Sequence, residues 1–400
     1  MNKFITILVT ILYLFFSANY ILGVSFIYDI KKDNKQQSSI ATAAQPAFEF
    51  ESHAQVLMEK DTGKIIYANN EEDEMLPASV TKLMTLYLIM EKIDNGSLSY
   101  EDKVVCSKNA EEMGGSQIWF EEGEELTIRD ALKAICVVSA NDVTVAMAEL
   151  IGGDESNFVS MMNEKAKEIG MTNTCYMNSH GIDEEGHYTC AKDQALLARD
   201  LLLKHPDITQ FTSIWTDELR NGETVLNSTN KLIRFYDGAN GLKTGYTSLA
   251  MYNLVGSATR GDTTYISVVM HAPSSDERLA ETKKLLDYGF QNFEVKKVVD
   301  SNDILETVDI EKSLGEVLDL YSQDDIFVLS KKADKEKYET QIQIDENLTA
   351  PVISGETIGK INVILNGEII DTKNIISHRD VLKANFKDYF KNIYETIFCV

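Results

Sequence analysis

Ser79 and Lys82 stand three residues apart in Pro77-Ala78-Ser79-Val80-Thr81-Lys82, directly ahead of an amphipathic helical pattern. One helical turn therefore puts a hydroxyl and an amine on the same face, where they can touch. A serine hydroxyl is a poor nucleophile until a base removes its proton, and a lysine serves as that base only if burial or a nearby cation lowers its pKa. The chemistry implied is nucleophilic attack by an activated serine. Taken alone, the spacing is better read as a helix-start serine followed by a surface lysine.

Two further groups follow in the chain. Ser139-Ala140-Asn141 falls between two helical segments, where a short break can turn both polar side chains into a cleft; the plainer reading is a cap for the next helix. Gly241-Leu242-Lys243-Thr244-Gly245-Tyr246 is expected just ahead of a strand. It offers a cation and a hydroxyl to grip a carboxylate, then a glycine that lets substrate approach the backbone; its plainer reading is a polar strand start. Each plain reading is adequate singly. All three groups in this order, each in its fitting context, form the signature of serine enzymes that react with penicillin.

The elements that must position these groups can be read from periodicity. Val56-Leu57-Met58 and Lys64 to Tyr67 flank a turn at Asp61-Thr62-Gly63 and read as a hairpin. Apolar residues then recur three and four apart over Leu83–Ile93, Ile128–Val138, Val143–Leu150, Phe158–Ile169 and Ala191–Leu203, which reads as a helical block. Strand patterns return at Tyr252–Ala258 and Thr264–Met270, followed by an amphipathic helix over Arg278–Phe290. Strands, helices, strands, helix suits an antiparallel sheet whose first strands come from the N-terminus and whose last come much later, with helices packed around it, over residues 46–295. Beyond Asp300, short strand-like runs with turns at Gly355 and Asn366-Gly367 imply a small β-rich domain over 300–376.

Both ends carry a different texture. Residues 1–28 hold a single early base, Lys3, and then an apolar run, the pattern of a signal peptide or an N-terminal membrane segment; residues 29–45 read as a linker. Over 378–400, Leu382, Phe386, Tyr389, Phe390, Ile393 and Ile397 fall on one helical face, with Arg379, Lys383, Lys387 and Lys391 on another. This is the pattern of an amphipathic helix lying on a membrane surface.

Composition sets outer limits. The 400 residues are 44% apolar, enough for a large core, and a net charge of −25 argues against a nucleic-acid partner. Five cysteines without a Cys-x-x-Cys pair suggest neither a zinc knuckle nor a disulfide framework. His180 and His187 lack metal-ligand spacing, so no metal and no cofactor is expected.

On these motifs the chain resembles the low-molecular-mass penicillin-binding D-alanyl-D-alanine carboxypeptidases, from about Ala54 to Ile376. Gly115-Ser116, Asn178-Ser179-His180-Gly181-Ile182 and His187-Tyr188-Thr189 fit as well. The resemblance implies an α+β fold: a β-lactamase/penicillin-binding transpeptidase-like domain, an antiparallel sheet with helices on both faces, then a small β-rich domain and a C-terminal amphipathic anchor. It implies removal of the terminal D-alanine from peptidoglycan stem peptides ending in D-Ala-D-Ala, with β-lactam antibiotics as covalent inhibitors. The enzyme would be exported, to the outer face of the bacterial cytoplasmic membrane or beyond it.

By the same resemblance Ser79 attacks, Lys82 is the general base and Ser139 relays a proton to the leaving amine, while Asn141 binds the substrate backbone. Lys243 and Thr244 hold the terminal carboxylate, Arg278 adds to that grip, and Gly245 admits the substrate. The amides of Ser79 and Tyr246 form the oxyanion hole. Two residues depart from the usual pattern: Ala140 where these enzymes carry Gly, and Tyr246 where some carry His. The competing readings are a class A-like β-lactamase, for which no Glu-x-x-Leu-Asn follows Ser139, a cytoplasmic glutaminase, which the export signal disfavours, and a wall-binding scaffold without turnover.

Overall fold

Six consecutive buried residues open the folded chain: strand β1, Ala54–Glu59, has no exposed position, as befits a strand covered on both faces. It turns through Gly63 into β2, Ile65–Asn69. The other strands of this sheet come much later, β3 (Ala239–Thr247), β4 (Met251–Arg260) and β5 (Thr263–Ala272). They form one antiparallel sheet in the order β2-β1-β5-β4-β3, so that the first strand pairs with the last, Val56 opposite Val268. The computed structural model describes residues 48–333, 338–345, 348–390 and 394; the expected export segment and linker lie outside the described residues.

Alternate residues of β5 face opposite sides of the sheet, and each side carries helices. Ile266, Val268 and Met270 join one core cluster with Ala191, Ala195 and Leu201 of helix Ala191–Lys204. On the other side, a Cβ placed on Gly289 of helix Ser275–Asn292 would stand 3.0 Å from the ring of Tyr265, so the helix rests directly on that ring.

The helical block contains one element that decides the site. Helix α1, Lys82–Asp94, is buried at every position from Lys82 to Met90. An exposed helix would hide only a stripe; this one is surrounded, and so its first residue, a lysine, is taken out of water. The helical pattern expected over Ile128–Val138 is an α-helix only to Lys133 and continues as a wide π turn, Ala134–Val138. Helix α2, Asn141–Gly152, follows at once.

The chain passes from Asn292 into a strand, Phe293–Val299, that pairs with Ile326–Lys331. The strand thus begins inside the stretch read from sequence as the end of the first domain. A five-stranded antiparallel sheet follows, with a separate core of Leu318, Leu320, Ile361, Val363 and Ile375 among others. Asn366 and Gly367, at φ 53° and 86°, make the tight turn between its strands Gly359–Leu365 and Glu368–Ile376.

The C-terminal stretch differs from expectation at its start. Residues 378–385 are not helical, and the described helix begins at Phe386. The reason is local: Val381 is fully buried and exchanges both backbone hydrogen bonds with Val352, at 2.9 Å each. Arg379 also pairs with Glu316 at 2.9 Å. Backbone groups committed to a bridge cannot also close a helical turn. Among the described residues of the apolar face, Leu382, Phe386 and Phe390 are 76%, 84% and 65% exposed. Ile393 and Ile397 lie outside the described residues. Among the described residues no helix is long and apolar enough to cross a membrane.

Candidate active site

The nucleophile candidate sits on a short 3-10 turn, Ala78–Thr81, that runs straight into α1. Ala78 has φ 50°, a strained value for a residue with a side chain. Its surroundings enforce it. Gly181 lies so close that a Cβ there would stand 2.0 Å from the Ala78 carbonyl oxygen, and the Asn253 amide donates to the Leu76 and Pro77 carbonyls at 3.1 and 3.0 Å.

Lys82 Nζ donates to Ser79 Oγ at 3.0 Å, to Asn141 Oδ1 at 2.6 Å and to the His180 carbonyl at 2.6 Å. An ammonium would donate to all three; the free amine has two N–H groups for the Asn141 and His180 oxygens and turns its lone pair to the Ser79 hydroxyl. Burial holds its pKa well below the ordinary lysine value, and the charge of Lys243 lowers it further, against a smaller opposing pull from Asp142. An amine in this state can take a proton from the hydroxyl beside it.

Ser139 and Asn141 reach the same place from the π turn. Ser139 is in the left-handed region, φ 63°, at the point where the turn breaks into α2. Its Oγ is buried and makes no hydrogen bond among the described residues. A buried hydroxyl without a partner is costly, and a substrate atom can supply the partner. Asn141 is satisfied on both sides: its Oδ1 accepts from Lys82 and its Nδ2 donates to the Gly114 carbonyl at 2.7 Å.

The Lys-Thr-Gly group lies within strand β3 rather than ahead of a strand, and β3 is the edge of the sheet. An edge strand leaves one side of its backbone open to a ligand. Lys243 is 1% exposed, and burial brings its pKa to about 7, with Cys136 raising it and Arg278 lowering it. Thr244 Oγ1 bonds Thr229 Oγ1 at 2.7 Å. A Cβ on Gly245 would stand 2.9 Å from the Pro77 oxygen and 3.0 Å from the Ser79 nitrogen, so only glycine allows β3 to lie against the nucleophile turn. Tyr246 is exposed and its ring lies 4.3 Å from that of Tyr252. Arg278 stands beneath, donating to the carbonyls of Gly245 and Asn253 at 3.3 and 3.1 Å, with its guanidinium 5.6 Å from the Tyr252 ring centre.

All three motifs thus meet at one cleft through direct contacts. Three buried basic side chains, Lys82, Lys243 and Arg278, gather there, the last two able to present positive charge, in a chain whose net charge is −25. A cleft of that kind attracts a carboxylate. Among the described residues no group of His, Cys, Asp or Glu side chains could hold a metal ion.

Several supporting residues escape a motif reading. Asp142 is fully buried and accepts from the Ile118 and Phe120 amides at 3.0 and 3.1 Å, fixing the loop that also offers its Gly114 and Ser116 carbonyls to Asn141. Thr229 and Asn253 act on β3 and the nucleophile turn from afar in sequence. His180 contributes a backbone carbonyl, a group present at every residue and so invisible to any residue-type pattern. An aspartate directly after a helix-opening asparagine was the one available signal.

Comparison with known proteins agrees with this geometry. Residues 39–274 match the profile of the D-alanyl-D-alanine carboxypeptidase family, and residues 293–383 match that of the penicillin-binding protein 5 C-terminal domain. D-alanyl-D-alanine carboxypeptidase DacF of Bacillus subtilis is 40% identical over 90% of this chain and 92% of its own. Penicillin-binding protein 5 of Haemophilus influenzae superposes with a TM-score of 0.73 at 30% identity, covering 84% of this chain and 98% of that one. Penicillin-binding protein D2 of Listeria monocytogenes, in its ampicillin-bound form, gives a TM-score of 0.57 at 31% identity over 62% of this chain and 100% of its own.

Proposed function

The chain belongs to the D-alanyl-D-alanine carboxypeptidase family of low-molecular-mass penicillin-binding proteins, and on that footing we propose that Ser79 is its nucleophile and Lys82 the general base. As a serine-type carboxypeptidase it acts on peptides ending in D-Ala-D-Ala. The observation that carries the assignment of roles is the buried Lys82 amine, 3.0 Å from Ser79 Oγ with its pKa drawn well down.

In this scheme Ser79 Oγ attacks the carbonyl carbon between the two D-alanines as its proton passes to Lys82 Nζ. The oxyanion that forms lies against the backbone amides of Ser79 and Tyr246, a kind of donor worth about 3 kcal/mol each. The C–N bond then breaks, and a proton delivered through Ser139 leaves with the D-alanine amine. Water, deprotonated in turn by Lys82, cleaves the ester and restores the Ser79 hydroxyl. Lys243 and Thr244 hold the terminal carboxylate, Asn141 holds the substrate backbone, and Arg278 adds positive charge beneath Gly245. A β-lactam enters the same sequence of steps and remains as the acyl-enzyme; the likeness to an ampicillin-bound relative supports this.

The substrate in the cell would be the stem peptide of peptidoglycan, with residues 1–28 directing export and the segment from Phe386 onward resting on the membrane. The apolar N-terminal run and the bare face at Phe386 and Phe390 support this placement.

A fluorescent penicillin and a peptide ending in Lys-D-Ala-D-Ala test the assignment together. A lasting adduct at Ser79 with D-alanine released is expected, and Ser79→Ala should form no adduct while keeping its fold. Labelling that persists in Ser79→Ala moves the nucleophile elsewhere, and rapid penicillin hydrolysis without D-alanine release would mark a β-lactamase.

A further inference from the structure

His187 lies 106 residues beyond Thr81 in sequence, is 2% exposed, and meets it ring to hydroxyl, Nε2 to Oγ1, at 2.8 Å. The direction of that bond follows from the other side of the ring. The Met177 amide donates to His187 Nδ1 at 3.0 Å, so Nδ1 carries no proton. The one ring proton of the neutral imidazole is then on Nε2, which donates to Thr81. Burial keeps the ring neutral, with a pKa of about 4.

Thr81 is fully buried and occupies the turn between Ser79 and Lys82. The turn touches the same distant segment twice more. A Cβ on Gly181 would press on the Ala78 oxygen at 2.0 Å and on Thr81 Oγ1 at 2.9 Å, and the His180 carbonyl receives Lys82 Nζ. Gly181 is itself pinned by its amide bond to Asn178 Oδ1 at 2.7 Å. One side of the nucleophile turn is therefore shaped by a loop that offers no side chain to the reacting atoms.

We propose that His187 is a positioning residue for acylation, donating through Nε2 to Thr81 and so setting the turn that holds Ser79 Oγ against Lys82 Nζ. The inference rests on the roles assigned above to Ser79 and Lys82. A misplacement of reacting groups by about 1 Å can cost about 100-fold in rate even when its source is remote, and that is the loss at stake here. Substrate binding, which falls to Lys243, Thr244 and Asn141, should be spared.

The test is rapid-mixing acylation by a fluorescent penicillin, separating the dissociation constant of the first complex from the acylation rate constant, with the labelled residue found by mass spectrometry. Thr81→Val, nearly the same shape without the acceptor, should acylate about 10- to 100-fold more slowly at an unchanged dissociation constant. Thr81→Ser, which restores the hydroxyl, should recover most of the rate. Combining Thr81→Val with His187→Leu should slow acylation no more than His187→Leu alone, since the bond between Thr81 and His187 is already lost there, together with that from the Met177 amide. If His187→Leu fails to fold, the Val and Ser variants of Thr81 still decide. Wild-type acylation in Thr81→Val, or failure of Thr81→Ser to recover the rate, overturns the positioning role alone; an adduct on a residue other than Ser79 overturns it together with the roles on which it rests.

Discussion

Lys82 Nζ sits 3.0 Å from Ser79 Oγ at the first residue of a helix buried from Lys82 to Met90, and among the described residues no carboxylate is hydrogen-bonded to it. The two carbonyl-type acceptors that complete its shell, from Asn141 and His180, are neutral. Neutral partners leave the desolvation penalty of an ammonium uncompensated, which favours the free amine.

Lys82→Arg tests that argument directly, because a guanidinium cannot give up its proton in a protein. Acylation by penicillin should fall by about 100- to 10,000-fold, the span ordinarily owed to a general base. A rate within tenfold of wild type in rapid-mixing experiments would show that Lys82 acts by its charge.

The pH dependence should divide between kcat and KM. Lys82 must be neutral to act, so kcat rises with pH through its lowered pKa. Lys243 must be charged to hold a carboxylate; with its pKa brought down to about 7 in the empty site, its charge is present below that pH and lost above it. KM for a D-Ala-D-Ala peptide should therefore climb above pH 7, modulated by Arg278 and Cys136, which face Lys243. A peptide with an amidated C-terminus should show no such climb, and an equal climb for both would remove Lys243 from carboxylate binding.

Gly245→Ala should hurt activity far more than stability. Its Cβ would meet the Pro77 oxygen and the Ser79 nitrogen at 2.9 and 3.0 Å, forcing β3 away from the nucleophile turn. Overpacking of this kind costs about 1–3 kcal/mol, whereas a displaced oxyanion donor costs about 100- to 1,000-fold in kcat. Chemical denaturation and steady-state D-alanine release, compared in one variant, check the disparity.

Asn141→Ala should lower both quantities together. It removes an acceptor from Lys82 and a donor from the Gly114 carbonyl, at 2.6 and 2.7 Å. Buried groups left unpaired cost about 1–3 kcal/mol, and the lysine loses one of the contacts that fix it. A variant with unchanged stability and unchanged acylation would mean that water replaces the amide without loss.

Removing residues 386–400 should leave hydrolysis of a soluble peptide unchanged while abolishing sedimentation with anionic phospholipid vesicles. Binding of the full chain should weaken as salt is raised, because the basic residues Lys387 and Lys391 contribute through screened attraction. Equal vesicle binding by the shortened protein would place any membrane contact elsewhere.

Much of this site was legible without coordinates, for a physical reason. Ser79 and Lys82 are one turn apart on a single helix start, and the Lys-Thr-Gly group occupies a single strand, so their internal geometry is dictated by local periodicity. The hairpin at Gly63 and most of the helices from Leu83 to Leu203 were readable on the same grounds, since a buried face repeats at the period of its element; the π turn after Lys133 was not.

Tertiary structure alone decided how the local pieces act on one another. The depressed pKa of Lys82 depends on what encloses the start of α1: the apolar run from Leu83 to Met90 marks a buried helix, but not that burial extends to the lysine ahead of it. Ser139 is left with an unpaired hydroxyl only because a π turn ends in a left-handed residue there. The bonds of Thr81 to His187 and of Lys82 to the His180 carbonyl span 106 and 98 residues. The helix expected from His378 yields to a bridge with Val352, 29 residues earlier than Val381, because the second core claims the Val381 side chain. Local periodicity acts over a few residues, whereas burial and long-range hydrogen bonding are properties of the assembled molecule, and it is these that set the Ser79 hydroxyl beside a buried lysine of lowered pKa.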